Sequence, residues 1–416
     1  MRSVVKSTCD YMRRVRRLDR SIGLYFAAVA LSSIALGIFS VAFNLYILSV
    51  GIGEGKLGAI VGAGPFATAL VAIPVAFAAE IIGYKSSFLI ILAITGATQL
   101  ARVATASVPV ILVAAFIGGL GSAGEFVVKL PFLADYSDAS NRTLVFSLNT
   151  LLTSVATAVG TVLAGYMPNM ERLALVDLSL AYRYTLYFAS ALTLLGLVPL
   201  WFIKARRPKE RKRISLAPYL WGIDRCTVKL ACLSLFRGLN MGFVNPFLNI
   251  YFINHLGTTR EFFSNVSALA IIPIMIGVAL GPQLAKRIGS VRAITVLRWG
   301  IPAPALVMAL TTNPITAAVA EWVHRGTSMM ETPLSFSYSM EVATERTRAA
   351  TAAWLHVTFV LGTAAAAPIT GLCLAQANYR LPFYLSAVSM AAAGLLNEVF
   401  FGVRAARQQM KERTAA

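Results

Sequence analysis

Charge is what this sequence withholds. Only 13 % of its residues are Asp, Glu, Lys or Arg, and the stretches 21–53, 57–79, 103–124, 143–170, 262–285 and 299–320 contain none. Runs this long without a polar face exclude an ordinary soluble domain. Each can cross a hydrocarbon core of roughly 30 Å, which takes about 20 helical residues. Cysteine is scarce as well. Cys9, Cys226, Cys232 and Cys373 show neither metal nor disulfide spacing, and they fall on predicted helices or the predicted cytoplasmic side, where thiols stay reduced. There are three histidines and no His-rich, Ser/His/Asp or metal-spaced set, which argues against a membrane enzyme; no cofactor or metal is expected. The first apolar run is too long for a cleaved signal and lacks an Ala-x-Ala exit, so it reads as a retained helix.

Hydropathy places twelve spans, centred roughly on 35, 68, 95, 120, 155, 193, 240, 273, 300, 324, 361 and 392. The third, ninth and tenth are short or charged. The formal charge of +19 is unevenly placed. Predicted outer loops hold only Lys56, Arg102, Arg172, Arg183, Arg260 and Arg380, whereas the leader (Arg13, Arg14, Arg16, Arg17, Arg20) and the run Lys204 to Arg213 are densely basic. This asymmetry puts both termini in the cytoplasm of a multi-pass cell-membrane protein. The basic segments suit anionic lipid headgroups rather than nucleic acid. The expected division is a leader at 1–20, a six-helix bundle at 21–203, a linker at 204–226, a second six-helix bundle at 227–403 and a tail at 404–416.

The halves repeat. Asn44-Leu45-Tyr46 returns as Asn249-Ile250-Tyr251, 205 residues later, and Gly83/Gly289, Gly165/Gly371, Pro131/Pro333 and Arg142/Arg346 recur at nearly the same offset. Six helices followed by six in the same order make parallel repeats, and such chains carry their binding site between the repeats.

Short motifs give the repeat a family. Glu80-Ile81-Ile82-Gly83-Tyr84-Lys85 follows the second span, Asp135 through Arg142 follows the fourth, and Glu341 to Arg346 follows the tenth. Gly160-Thr161-Val162-Leu163-Ala164-Gly165 and Ala367-Pro368-Ile369-Thr370-Gly371 lie in the fifth and eleventh spans. Over nearly its whole length the chain resembles the major facilitator superfamily in the position of these motifs. The resemblance implies an all-α membrane fold of twelve transmembrane helices in two pseudo-symmetric six-helix bundles, with the first, fourth, seventh and tenth helices around a central cavity. It further implies gating at the cytoplasmic loops, by Glu80, Gly83, Lys85, Asp135, Arg142, Lys286 and Arg346. The fifth and eleventh spans are similar to the Gly-Pro-x-x-Gly-Gly motif of antiporters, although the fifth lacks its Pro. Lys286-Arg287 stands where the family often has an acid, and the first span carries no charge.

Charges at membrane depth cost roughly 2.5–3.5 kcal/mol each at a helix centre, so they mark partners or wet cavities. Here they fall on the fourth span (Glu125, Lys129), the seventh (Arg237) and the tenth (Glu321, His324, Arg325, Glu331). Glu321, His324 and Arg325 share a helical face that Ser328 and Glu331 or Thr332 continue. Glu125/Lys129 and Glu321/Arg325 read equally as self-neutralising pairs. By the Pro131/Pro333 landmark, Lys129 sits at the place of Glu331. Arg237 has no local acid; it needs a partner from another helix or an anionic ligand, for which a guanidinium offers bidentate recognition of carboxylate or phosphate. Candidate solute ligands are Asn44, Arg237, Asn240, Asn245, Glu321, Arg325 and Ser328. Candidate proton carriers are Glu331, Glu321, Glu125 and His324. Arg298 in the ninth span reads as structural. Three acids (Glu125, Glu321, Glu331) against three bases (Lys129, Arg237, Arg325) favour a zwitterionic, neutral or amphipathic solute.

The expected function is proton-coupled efflux of a small organic solute by alternating access, from a monomer in the bilayer. Proton symport or facilitated import is the alternative. A receptor or scaffold with this fold would be expected to lose the intramembrane charges or gain a soluble domain, and neither holds.

Overall fold

A computed structural model describes residues 19–137, 141–169, 177–204, 223–345 and 347–402. The expected leader, nearly all of the linker, the tail and Arg346 lie outside the described residues, as does the side chain of Glu80. Within them the chain forms twelve long helices. In the first half these are α1 (Arg20–Ser49), α2 (Glu54–Ile82), α3 (Tyr84–Ala104), α4 (Val108–Tyr136), α5 (Arg142–Tyr166) and α6 (Leu178–Trp201). The second half has α7 (Arg225–Val244, continued to His255), α8 (Arg260–Ile288), α9 (Ser290–Leu310), α10 (Pro314–Val342), α11 (Arg348–Ala375) and α12 (Leu381–Gly402). Ten are long and apolar enough to cross a membrane by composition alone. The remaining two are α7 and α10, where the buried polar groups concentrate. Val113, Leu195, Val198, Ile315, Val319 and Val388 lie exposed on the outside of the bundles, as lipid contact requires.

The repeat is built into the backbone. Gly83 joins α2 to α3 at φ 90°, ψ 148°, and Gly289 joins α8 to α9 at φ 86°, ψ 149°. That region is essentially closed to residues with a Cβ, which is why the glycines recur. Helices α4 and α10 each have 29 residues, and both their first residues (108 and 314) and their last (136 and 342) are 206 apart. In this register Glu125, not Lys129, stands at the place of Glu331, correcting the alignment drawn through the prolines. Arg142 likewise pairs with Arg348 rather than Arg346. Each guanidinium caps the carbonyl eight residues before it, Ala134 O at 3.3 Å and Met340 O at 3.2 Å.

One end of the molecule carries the basic residues Lys85, Lys204, Arg225, Lys286, Arg287 and Arg348. At the opposite, far end one continuous core unites both halves, taking in Phe43, Tyr46, Leu57 and Tyr182 with Phe247, Tyr251, Phe263 and Phe383. Towards the basic end the cores separate. Tyr25, Phe88, Phe132 and Leu200 belong to the first half alone, and Leu230, Val291, Phe401 and Ile294, Leu297, Leu334 to the second. Among the described residues the halves therefore share a buried core at the far end and keep separate cores towards the basic end, with α2 and α11 still in contact at Ala69, Ala72, Val357 and Val360.

Candidate functional site

The seal is reciprocal. Asn44 Nδ2 in α1 donates to Pro246 O at 2.5 Å and to Asn249 Oδ1 at 3.3 Å, and Asn249 Nδ2 donates to Val41 O at 2.8 Å. Each asparagine thus bonds a carbonyl three residues before its own symmetry mate. Asn245-Pro246 makes this feasible: α7 loses its regular ladder at Val244, tightens over Asn245–Phe247 and widens over Tyr251–His255. The Pro246 carbonyl is freed for a partner across the interface. Tyr46 and Tyr251, the last residues of the repeated triplets, are buried and donate to Val103 O (2.9 Å) and Met308 O (2.6 Å), tying α1 to α3 and α7 to α9. The structure places Asn44 in this closure, apart from the charged groups of α7 and α10. Asn169 with Glu261, and Tyr166 with Asn265 at 3.0 Å, join α5 to α8 at the same end. Below them α5 and α8 diverge around an apolar crevice of about 380 Å³ lined by Val155, Val159, Val162, Ala268 and Ile271.

The charged groups sit at two depths. Nearer the far end, Glu321 and Arg325 form an ion pair one helical turn apart, with Glu321 buried and Arg325 partly exposed. Val319 and Val323 occupy the opposite, lipid-facing side of α10, so Glu321, Arg325, Ser328 and Thr332 line the face turned towards the opening. Ser328 Oγ has no hydrogen-bond partner among the described residues. His324 points elsewhere, into the second half. Its Nε2 lies 3.3 Å from Asn240 Oδ1, which accepts a 2.6 Å bond from Ser386 Oγ of α12. Asn240 is accordingly enclosed between α7, α10 and α12. Asn245 Nδ2 turns back to Met241 Sδ at 3.0 Å.

Deeper, Glu331 is clamped between two guanidinium groups. Arg237 Nε meets Glu331 Oε2 at 2.7 Å, and Arg298 Nε and Nη2 each meet Oε1 at 2.8 Å. Ser335 Oγ also donates to Oε1. Arg298 is fully enclosed, its Nη1 donating to Asn397 Oδ1 (3.2 Å) and its Nη2 to Ser335 Oγ (3.0 Å). Asn397 in turn donates to Thr295 Oγ1 at 2.8 Å. Arg237 donates through Nη2 to Thr332 Oγ1 at 2.9 Å, lies over the Phe359 ring of α11 and keeps 16 % of its side chain exposed. Arg298 is the residue that sequence reading sets aside. Its signal is a lone cation in an otherwise apolar span, which must find a partner.

In the first half Glu125 is exposed and makes no ion pair with Lys129; among the described residues its electrostatic neighbour is Tyr25, whose hydroxyl bonds Asn149 of α5 at 3.2 Å. Of the expected gate residues, Gly83 shapes the turn already described, Lys85 Nζ caps Trp201 O at 2.8 Å, Arg142 caps α4, and Asp135 and Lys286 lie exposed at the basic ends of α4 and α8.

A sequence model of the Major Facilitator Superfamily matches residues 25–222 and 230–416. No curated protein matches in sequence. Among solved structures, the nucleoside transporter NupG superposes with a TM-score of 0.76 at 11 % identity, covering 92 % of this chain and 99 % of its own. A bacterial homologue of the human lysosomal transporter Spinster, inward-facing and occupied, gives 0.67 at 15 % identity over 94 % and 96 %. The human organic anion transporter MFSD10 gives 0.61 at 15 % identity over 91 % and 99 %. At these identities the likeness concerns the fold.

Proposed function

The chain belongs to the Major Facilitator Superfamily, and on that premise we propose that it exports a small organic solute in exchange for protons by rocking its two halves around a midplane site. One observation carries the reading: the far end is latched by the Asn44/Asn249 bonds, while Arg237 and Arg325 keep exposure on the side where the cores of the two halves separate. A closed end opposite an open, charged one is a state that alternating access requires. By the excess of Lys and Arg, the open end is the cytoplasmic one, which puts both termini in the cytoplasm and the protein in the cell membrane. Neighbours described as carriers of nucleosides and organic anions support a solute of that size.

Proton exchange needs a carboxylate that is not held ionised by fixed cations. Glu331 has both oxygens committed to guanidinium groups and Glu321 is paired with Arg325, so the proton falls first to Glu125. The turn and loop residues Glu80, Gly83, Lys85, Asp135, Arg142, Lys286 and Arg346 would close the cytoplasmic end in the other half of the cycle. Export rests on the glycine patterns of α5 and α11. The missing Pro in α5 favours import by symport or facilitated passage as the second reading. Proteoliposomes loaded with a pH-sensitive dye decide between them. Addition of solute should drive protons opposite to its own movement, and Glu125→Gln should stop the exchange. Movement in the same direction would establish symport, and solute flux without any pH change would remove coupling.

A further inference from the structure

The charge count at mid-depth changes once Arg298 is included. Lys129, Arg237, Arg298 and Arg325 stand against Glu125, Glu321 and Glu331, a surplus of one cation. The surplus is localised. Glu321 is matched by Arg325 alone, whereas Glu331 serves two guanidinium groups. Of these two, Arg298 is sealed while Arg237 retains access to the opening. Two atoms of the Arg237 fork are engaged, Nε by Glu331 and Nη2 by Thr332, and Nη1 has no bond among the described residues. Arginine cannot shed its proton to relieve the imbalance. The Phe359 ring and the Glu331 contact hold the fork in place, so an arriving anion loses little freedom in ordering it.

From this geometry we infer that the transported solute is a small organic anion whose carboxylate or phosphoryl oxygens dock on Arg237, at a positive potential that the buried Arg298 supplies without touching the solute. The inference rests on the transport reading and refines its solute from any small organic molecule to an oxyanion. It replaces the expectation of a zwitterionic or neutral solute.

Binding and transport are measured separately to test it. The purified full chain in detergent is titrated, by thermal shift, with panels that present one alkyl or aryl skeleton as carboxylate, phosphomonoester, alcohol and amine. Oxyanions should stabilise the wild type, and Arg237→Gln should weaken them at least tenfold. Glu331 keeps Arg298 in that variant, so the fold is retained. Arg237→Lys, which preserves the charge and loses the fork, should fall between the two and carries the test if the glutamine variant does not fold. Carboxylate preferred over phosphomonoester, or the reverse, identifies the head group. Equal stabilisation by the alcohol or amine, or undiminished oxyanion binding in Arg237→Gln, overturns the inference, as does a panel in which nothing binds. Flux of the same compounds into proteoliposomes tests the transport reading apart from it. A neutral compound that is moved while oxyanions neither move nor compete sinks the inference and spares transport, whereas an oxyanion that binds and is never moved does the opposite.

Discussion

Glu125 in α4 and Glu331 in α10 occupy equivalent positions in the two halves, yet one is exposed with no ion pair among the described residues and the other is buried between two arginines. The difference lies in the neighbours. Where the second half has Arg237 and Arg298, the first has Ser32 and Leu92 or Ala93, so no guanidinium reaches its acid from those two places. A duplicated frame has thus been divided between two tasks. One half fixes a charge, and the other leaves its counterpart unfixed.

The largest expected effect comes from removing that fixed charge. Glu331→Gln strands the buried Arg298 and takes the ion-pair partner from the partly exposed Arg237; it should cost about 3–5 kcal/mol, read as a fall in thermal midpoint and in yield of folded protein. Glu125→Gln should change stability by no more than about 0.5 kcal/mol, because it removes no buried partner. Equal losses at both positions would abolish the contrast between the halves.

The far-end latch comes next. Asn44→Ala and Asn249→Ala each remove a buried amide from reciprocal bonds, at about 1–3 kcal/mol apiece. Both should open the far end, measured as labelling of a cysteine placed behind the latch, and to a similar degree. The double variant should cost less than the two singles together, because they share a bond. Opening by one variant alone would show the latch to be lopsided.

Gly83→Ala and Gly289→Ala place a Cβ at φ near 90° and should each lose about 1–3 kcal/mol, though open space surrounds Gly83. Unequal costs would mean that the two turns are held differently by their bundles.

Smallest is the helix cap at the start of α7. Asp224 accepts from Thr227 N (2.7 Å) and Thr227 Oγ1 (2.6 Å), and these bonds hold its carboxyl below the usual range. Its stabilisation is therefore full above about pH 4 and fades as pH falls through the lowered folded value. Asp224→Ala should cost about 1 kcal/mol at neutral pH, with the gap from wild type closing in acid. A gap independent of pH would deny the carboxylate this role.

Much of this was legible in the sequence, and the exceptions have physical causes. Charge-free runs of membrane length, and a triplet repeating after 205 residues, are enough for the fold, because a bilayer admits few alternatives. Helical spacing groups Glu321, His324 and Arg325 with Ser328 and Glu331 or Thr332 on one face; His324 instead turns to Asn240, and Glu331 to Arg237 and Arg298, because a stripe this wide borders two neighbouring helices. The register of α4 against α10 did not follow, since a proline inside a helix can move without altering the helix ends, and Pro131 and Pro333 had moved. Arg298 reads as structural, but its partner does not show in the sequence, because Glu331 is 33 residues away on another helix, a relation that no local spacing displays. Asn44 reads as a candidate ligand because an uncharged amide in an apolar span announces a hydrogen bond without saying whether a solute or a symmetry mate receives it.

Along α2 and α11 the main chains themselves meet: a methyl on Gly58 would stand 2.8 Å from the Gly371 Cα, and one on Gly371 would stand 2.6 Å from the Glu54 carbonyl oxygen. Bare backbone sliding past bare backbone freezes no rotamers and strands no polar side chain. The longest contact between the halves is therefore a low-friction bearing. What would resist a swing of the halves is gathered instead at the far rim, in the asparagine bonds and the apolar core that both halves share.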